Sequence, residues 1–204
     1  DKPLYFGEFT CVFGATPDNQ ASIVGDIAFE DKDHGTGRVD TKLWPLEVNS
    51  YRRLDVSGFC AWAFLLGSET DVPTMLQSPQ VAAHTYAVRP LAVLDHSYRT
   101  RYFAGDEVAI ELSIHNDTRH DTTLALRCDV LNGEEILWTE TMPPAVYGPA
   151  ENLAFTNRFR APRTEERLDL QYRAVLTAGE TVVDSWTKTI EIWPKSSERT
   201  LPED

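Results

Sequence analysis

From Tyr86 onward the chain alternates apolar and polar residues, stretch after stretch, and this pattern most limits what it can fold into. In "EVAIELSIHND", Val108, Ile110, Leu112 and Ile114 fall on one side, while Glu107, Glu111 and Ser113 fall on the other. "TLALRCDVLNG" repeats the arrangement with Leu124, Leu126, Cys128 and Val130. "NLAFTNRFRAP", "RLDLQYRAVLTAGE" and "TVVDSWTKTIEIWP" continue it. A period of two is the signature of strands with one face buried and one wet. Turn signals separate the runs: Ala104-Gly105-Asp106, Asn132-Gly133, Pro143-Pro144, Ala161-Pro162 and Ala178-Gly179. About seven short strands in roughly a hundred residues predict an immunoglobulin-like antiparallel β-sandwich over 86–194. The polar stretch 195–204, "KSSERTLPED", reads as a disordered tail.

The first part of the chain follows another rule. Pro3 to Phe13 is an apolar strand carrying one carboxylate, Glu8. Burying an unpaired carboxylate costs several kcal/mol, so Glu8 is expected at an exposed strand end or in a chemical role. Residues 14–37, rich in Gly, Asp and Asn, read as a long connection. In "DTKLWPLEVNSYRRLDVSG", Trp44, Val48, Tyr51 and Leu54 share a helical face, with Asp40 or Thr41 as the cap and Pro45 in the first turn. "FCAWAFLLG" is a second apolar strand. Strand, helix, strand is a βαβ unit, and all-apolar strands suit a parallel sheet buried on both sides. The expected division is 1–67 for the βαβ part, 68–85 for a polar connector, 86–194 for the sandwich and 195–204 for the tail. The fold class is therefore mainly β.

At a formal net charge of -13, the chain lacks the basic face that phosphate binding requires, so no nucleic acid and no anionic membrane surface is expected as a partner. Cys11, Cys60 and Cys128 are widely spaced and odd in number, which predicts three buried thiols, not a disulfide framework or a zinc ribbon. Asp26, Glu30, Asp31, Asp33 and His34 do not follow the spacing of a calcium loop, and His115, Asp117, His120 and Asp121 read as a polar turn, so no metal is expected. Asn116-Asp117-Thr118 matches the glycosylation sequon. The chain holds no Gly-rich phosphate loop and no G-x-S-x-G elbow, and no cofactor is expected.

"KPLYFGEF", a long connection, a helix and then "YRRLDVSGFCAWAF" resemble the end of a retaining (β/α)8 glycoside hydrolase of the clan that includes β-galactosidases, β-mannosidases and cellulases. "RPLAVLDHSYRTRYFAGDEVAIELSIHNDT" is similar to the opening of the β-sandwich that follows the barrel in multi-domain bacterial members. The resemblance implies that residues 1–67 are the last two units of a TIM barrel. It implies that Glu8, in "GEF" at a strand end, is the nucleophile, and that Trp62, in "CAW", is a platform under the reacting sugar. It also implies a carbohydrate partner. The plain alternatives are a strand-end Glu8 held by an Arg or Lys and a core Trp62. The clan's acid/base Glu, which follows an Asn, has no counterpart ahead of Glu8. Since retention needs two carboxyl groups, the chain alone is expected to be inactive. A two-unit slice also leaves edges and faces to cover, by a missing N-terminal barrel portion, by the chain's own sandwich or by a second copy in a homo-oligomer. An extracellular or periplasmic location is favoured over others. The other reading is a non-catalytic carbohydrate-binding or structural sandwich, using aromatics such as Trp138, Trp186 or Trp193.

Overall fold

The structure is a computed structural model describing residues 3–9, 18, 21, 25–30, 35–54, 56–61 and 79–195. The chain divides into two compact units, Asp1–Arg89 and Pro90–Asp204.

In the first unit, strand β1 (Tyr5–Phe9) pairs in parallel with β2 (Gly58–Ala61). Helix α1 (Ile27–Glu30) and helix α2 (Gly35–Arg53) lie between them in sequence. The expected βαβ connectivity is therefore present. The stretch taken as an unbroken connection, 14–37, instead contains α1 and the start of α2. Because α2 begins at Gly35, Asp40 and Thr41 lie inside it and do not cap it, and Pro45 falls well past the first turn. There the ring withholds one amide donor from the carbonyl of Thr41. The helix tolerates this because its apolar face is anchored: Trp44 and Val48 are buried, and Tyr51 packs against them. Leu54, expected on that face, lies beyond the end of α2 and is exposed.

Helix α3 (Pro79–Ala87) begins within the stretch read as a connector and takes up its last part, 79–85, while 68–78 lie outside the described residues. Pro79 takes the first helical position, where a missing N–H costs nothing, and "VAAHTYA" continues it. Ala87 joins the Trp44–Val48 cluster, and Arg52 donates to the Ala87 carbonyl at 3.3 Å, tying α2 to α3. Arg89 closes the helix by donating to the Tyr86 carbonyl at 2.7 Å.

The second unit is a β-sandwich. One sheet has the order β3 (Leu91–Asp95), β5 (Glu107–Asn116), β8 (Glu151–Arg160). The other runs β4 (Arg101–Phe103), β10 (Thr181–Trp193), β9 (Leu168–Ala178), β6 (Thr122–Asn132), β7 (Glu135–Tyr147). All pairings are antiparallel except β4 with β10. The chain crosses between sheets from β3 to β4, β4 to β5, β5 to β6, β7 to β8 and β8 to β9, so β5–β8 in one sheet interlocks with β6–β9 in the other.

The alternation turned into burial as expected: Val108, Ile110, Leu112, Ile114, Leu124, Leu126, Cys128 and Val130 all lie in the core. Leu170, Tyr172, Ala174, Leu176, Ile190 and Ile192 complete the opposing layer. The peptide of Val93 joins the sheets: its N–H donates to Asp184 Oδ2 at 2.8 Å, and its carbonyl accepts from the Trp186 indole at 2.8 Å. Gly105, Gly133 and Gly179 take positive φ at the expected turns, where a side chain would be strained.

Three expectations for the sandwich need correction. Pro143-Pro144 is not a turn but lies inside β7. The strand is an edge, and the prolines fall where pairing jumps from Leu126–Met142 to Leu124–Ala145, so no ladder bond is lost. Ser113 is on the outward side of β5 but is buried, its hydroxyl 2.6 Å from His96 Nε2 and 2.7 Å from His115 Nε2. The first strand of the sandwich starts at Leu91, because α3 holds Tyr86 and Ala87. Of the expected tail, Lys195 is described and pairs with Asp106 at 3.1 Å, while 196–204 lie outside the described residues.

Candidate functional site

The parallel register places Glu8 near the carboxyl end of β1. Tyr5 faces Gly58, Phe6 faces Phe59, Glu8 faces Cys60 and Phe9 faces Ala61. Between Phe6 and Glu8 the register slips, so Gly7 is the extra residue of a β-bulge. Bulges bend a strand and re-aim the residue that follows, and they are frequent beside active sites. A Cβ at Gly7 would meet nothing within 4 Å, so the bulge itself leaves room for a side chain there. At Gly58, by contrast, a Cβ would come within 3.0 Å of the Tyr5 ring, so the close seating of Tyr5 depends on that glycine.

Trp62 follows Ala61, the last residue of β2, and is itself outside the described residues. Glu8 lies near the carboxyl end of β1, the end at which open and closed α/β sheets place their ligands.

Helix α2 covers one side of the strand pair. Tyr51 stacks on Phe6 with ring centroids 4.4 Å apart and approaches Phe59 at 6.1 Å. The expectation of strands buried on both sides does not hold for β1: Leu4 is 53% exposed and Tyr5 63%. Among the described residues, Phe6 and Phe59 pack toward Tyr51 of α2, while Tyr5 and the preceding Leu4 meet solvent. Cys60 is likewise exposed, contrary to the expected buried thiol, while Cys128 is buried and Cys11 lies outside the described residues. Beside Trp44, partial burial pushes the His84 imidazole down to about 4, so it is neutral at pH 7.

Other residues singled out by the sequence take structural roles in the sandwich. Asn116 is fully buried, and its amide nitrogen donates to the carbonyls of His120, Tyr147 and Gly148. Its Oδ1 accepts from the Thr118 amide at 3.0 Å. An amide so engaged offers nothing to a glycosylating enzyme once the unit is folded. Of the three tryptophans considered for ligand contact, Trp186 stacks on Tyr172 and spends its N–H on Val93, and Trp138 packs near Phe159. Trp193 is 40% exposed.

The sequence reading did not foresee the polar frame around Trp193. Glu191 Oε2 accepts from the indole N–H at 3.1 Å and from Arg101 Nε at 3.1 Å, while Arg167 lies 3.6 Å from Oε1. Phe103, 51% exposed, stands opposite Trp193 in the register. The outward phase of the alternation contained this signal, since Arg101 and Phe103, like Glu191 and Trp193, are two residues apart on one face.

No family model matches the chain, and no curated protein does. Solved structures give partial likenesses. A cycloisomaltooligosaccharide glucanotransferase from Paenibacillus sp. aligns at 17% identity and a TM-score of 0.40, over 50% of this chain and 14% of its own. A Bacteroides uniformis β-glucuronidase aligns at 16% and 0.38, over 49% and 12%. Escherichia coli α2-macroglobulin, which is not named as a carbohydrate enzyme, aligns at 18% and 0.43, over 52% and 7%. The chain therefore spans a small part of each of these proteins. At such TM-scores the likeness carries no argument about what this chain does.

Proposed function

We propose that the chain is the carboxyl-terminal part of a retaining glycoside hydrolase acting on β-linked carbohydrate, with Glu8 as nucleophile and Trp62 as sugar platform. Strands β3 to β10 form an accessory sandwich of the immunoglobulin-like kind. The observation that carries this reading is the placement of Glu8 at the carboxyl end of β1, just past the Gly7 bulge, with Trp62 following the neighbouring parallel strand. A retaining enzyme needs a second carboxyl group about 5–5.5 Å from the nucleophile to protonate the leaving oxygen and later activate water. The 204 residues hold no Asn-Glu pair to supply it. The exposed Tyr5 of β1, with Leu4 just before it, fits a strand whose remaining neighbours come from another segment or a second copy. On this reading the 204-residue chain alone turns over no aryl β-glycoside.

The test uses the polypeptide of the full reading frame. Glu8→Gln should lower aryl β-glycoside turnover by about a thousandfold or more. Glu8→Ala should regain activity with azide, which replaces the carboxylate as nucleophile. Wild-type turnover in Glu8→Gln would overturn the assignment, as would turnover by the 204-residue chain alone.

A second reading, a non-catalytic carbohydrate-binding module, is favoured by one observation. Trp193 is exposed and held in a fixed orientation by its bond to Glu191, whereas Trp138 and Trp186 are packed into the sandwich.

A further inference from the structure

At one end of the sandwich, a cavity of about 720 Å³ lies between the β4–β5 turn, the β8–β9 loop and the end of β10. Gly105, Arg160, Arg163, Thr164, Glu165 and Lys195 are among its lining residues. The backbone around it is well tied. Gly105 N–H donates to the Ala161 carbonyl at 3.1 Å, Ala161 N–H to the Asp106 carbonyl at 2.9 Å, and Ala104 N–H to the Trp193 carbonyl at 2.8 Å. Within the loop, Thr164 Oγ1 donates to the Glu166 carbonyl at 2.6 Å.

In a chain of net charge -13, this lining holds three cations against the single carboxylate of Glu165. Lys195 is engaged by Asp106, whose carboxyl is held below its ordinary value chiefly by that hydrogen bond. The two guanidiniums are less committed. Arg160 makes one long bond, 3.4 Å, to the Gly105 carbonyl, and Arg163 has no hydrogen-bond or ion-pair partner among the described residues. Two guanidiniums with donors to spare on one concave wall match the planar fork of a carboxylate. The exposed rings of Phe103 and Trp193 are not part of this wall; the backbone joins them to it, since Ala104, which lines the cavity, follows Phe103 and donates its N–H to the Trp193 carbonyl at 2.8 Å, and the Arg167 guanidinium lies over one face of the Trp193 ring, 5.5 Å from its centroid.

We propose that this end of the sandwich binds a carboxylate-bearing oligosaccharide, with an acidic sugar's carboxylate on Arg160 and Arg163 and the apolar face of a ring against Trp193. The aromatic pair selects a sugar over a bare anion, and the arginines select an acidic sugar over a neutral one. This deepens the carbohydrate-binding reading by naming the site and the ligand class, and it makes no use of Glu8.

The test is titration of the whole chain with trigalacturonate, cellotriose and inorganic sulfate, followed by the indole N–H resonance of Trp193 and by calorimetry. Trigalacturonate should shift that resonance and bind at least about tenfold more tightly than cellotriose. The double variant Arg160→Gln/Arg163→Gln should lose about tenfold in trigalacturonate affinity and keep the weak cellotriose binding. Trp193→Ala should weaken trigalacturonate and leave sulfate unchanged. Equal binding of cellotriose and trigalacturonate would overturn the acidic-sugar inference while leaving the binding reading in place. Binding of sulfate as tight as that of trigalacturonate, unaffected by Trp193→Ala, would reduce the site to a bare-anion site and overturn it. No binding of either saccharide would remove both this inference and the binding reading, without touching the Glu8 assignment.

Discussion

The two units of this chain handle apolar surface in opposite ways. The sandwich folds its alternating strands onto each other, so Leu112, Leu126, Tyr172 and Ile190 are enclosed by partners from the same unit. The βαβ unit encloses Trp44 and Val48 of α2 with Ala87 of α3 but leaves Tyr5 of β1 and the preceding Leu4 in solvent. An antiparallel sandwich closes on itself within about a hundred residues, whereas a parallel pair needs layers on both faces. The unit that leaves these described apolar side chains in solvent is also the one holding the proposed nucleophile.

This contrast makes the largest predicted difference a comparison of two truncations. Leu126→Ala should destabilise the sandwich by about 3 kcal/mol, because it opens a cavity in a closed core. Tyr5→Ser should change stability by less than about 0.5 kcal/mol, as a surface replacement does. Urea unfolding of both variants checks this. A cost for Tyr5→Ser near that of Leu126→Ala would mean that β1 is covered in solution and would break the comparison.

Next in size is Asp184→Ala. It leaves the Val93 amide buried without its acceptor and should cost about 2 kcal/mol, read as lost hydrogen-exchange protection in β3 and β10.

Acid should then separate the units. His84 has its folded-state pKa depressed to about 4 by burial, so its neutral form favours folding. That contribution is complete above the unfolded value of about 6.5 and is lost as pH falls toward 4. In the sandwich, burial pushes Asp129 up, but hydrogen bonds from Arg173, Arg127 and Thr139 outweigh it and hold the carboxyl below its ordinary value. Its contribution persists above the unfolded value of about 3.9 and is lost only as pH falls below it. Protection of α2 and α3, corrected for intrinsic exchange, should therefore weaken between pH 6.5 and 4 while that of β6 and β9 holds. His84→Gln should flatten the first change and Asp129→Asn the second.

The smallest effect concerns a turn. Gly179→Ala forces a side chain into a φ of 60° and should cost about 1 kcal/mol, seen as a shift of the thermal midpoint.

Much of the sandwich was legible because burial there follows directly from strand parity. Val108 to Ile114 and Leu124 to Val130 were assigned to the core from alternation alone, and they are there. The same rule failed at Ser113 and Asp129, which sit on the outward phase and are nonetheless buried. Asp129 is covered by Arg127 of its own strand and Arg173 of β9, and pairing across strands does not appear in a one-dimensional pattern. The prolines of β7 misled for a related reason: Pro-Pro marks a turn in most settings, and only the strand order shows that β7 is an edge where a bulge accommodates them. Of the proposed catalytic pair, the sequence located Glu8 on a strand, but the bulge at Gly7 became visible only in the register. Trp62 stays an assignment by position in the chain.

By itself, then, the sequence determined the strand faces of the second unit, its glycine turns and the strand–helix–strand order of the first. These depend on neighbours within a few residues, where the periods of strand and helix apply. Only the tertiary structure decided which strands are edges, which outward side chains are buried, and that Arg101, Arg167 and Glu191 gather around Trp193. Those outcomes join residues far apart in the chain, and their free energy comes from packing and charge pairing that exist only after the sheets have formed.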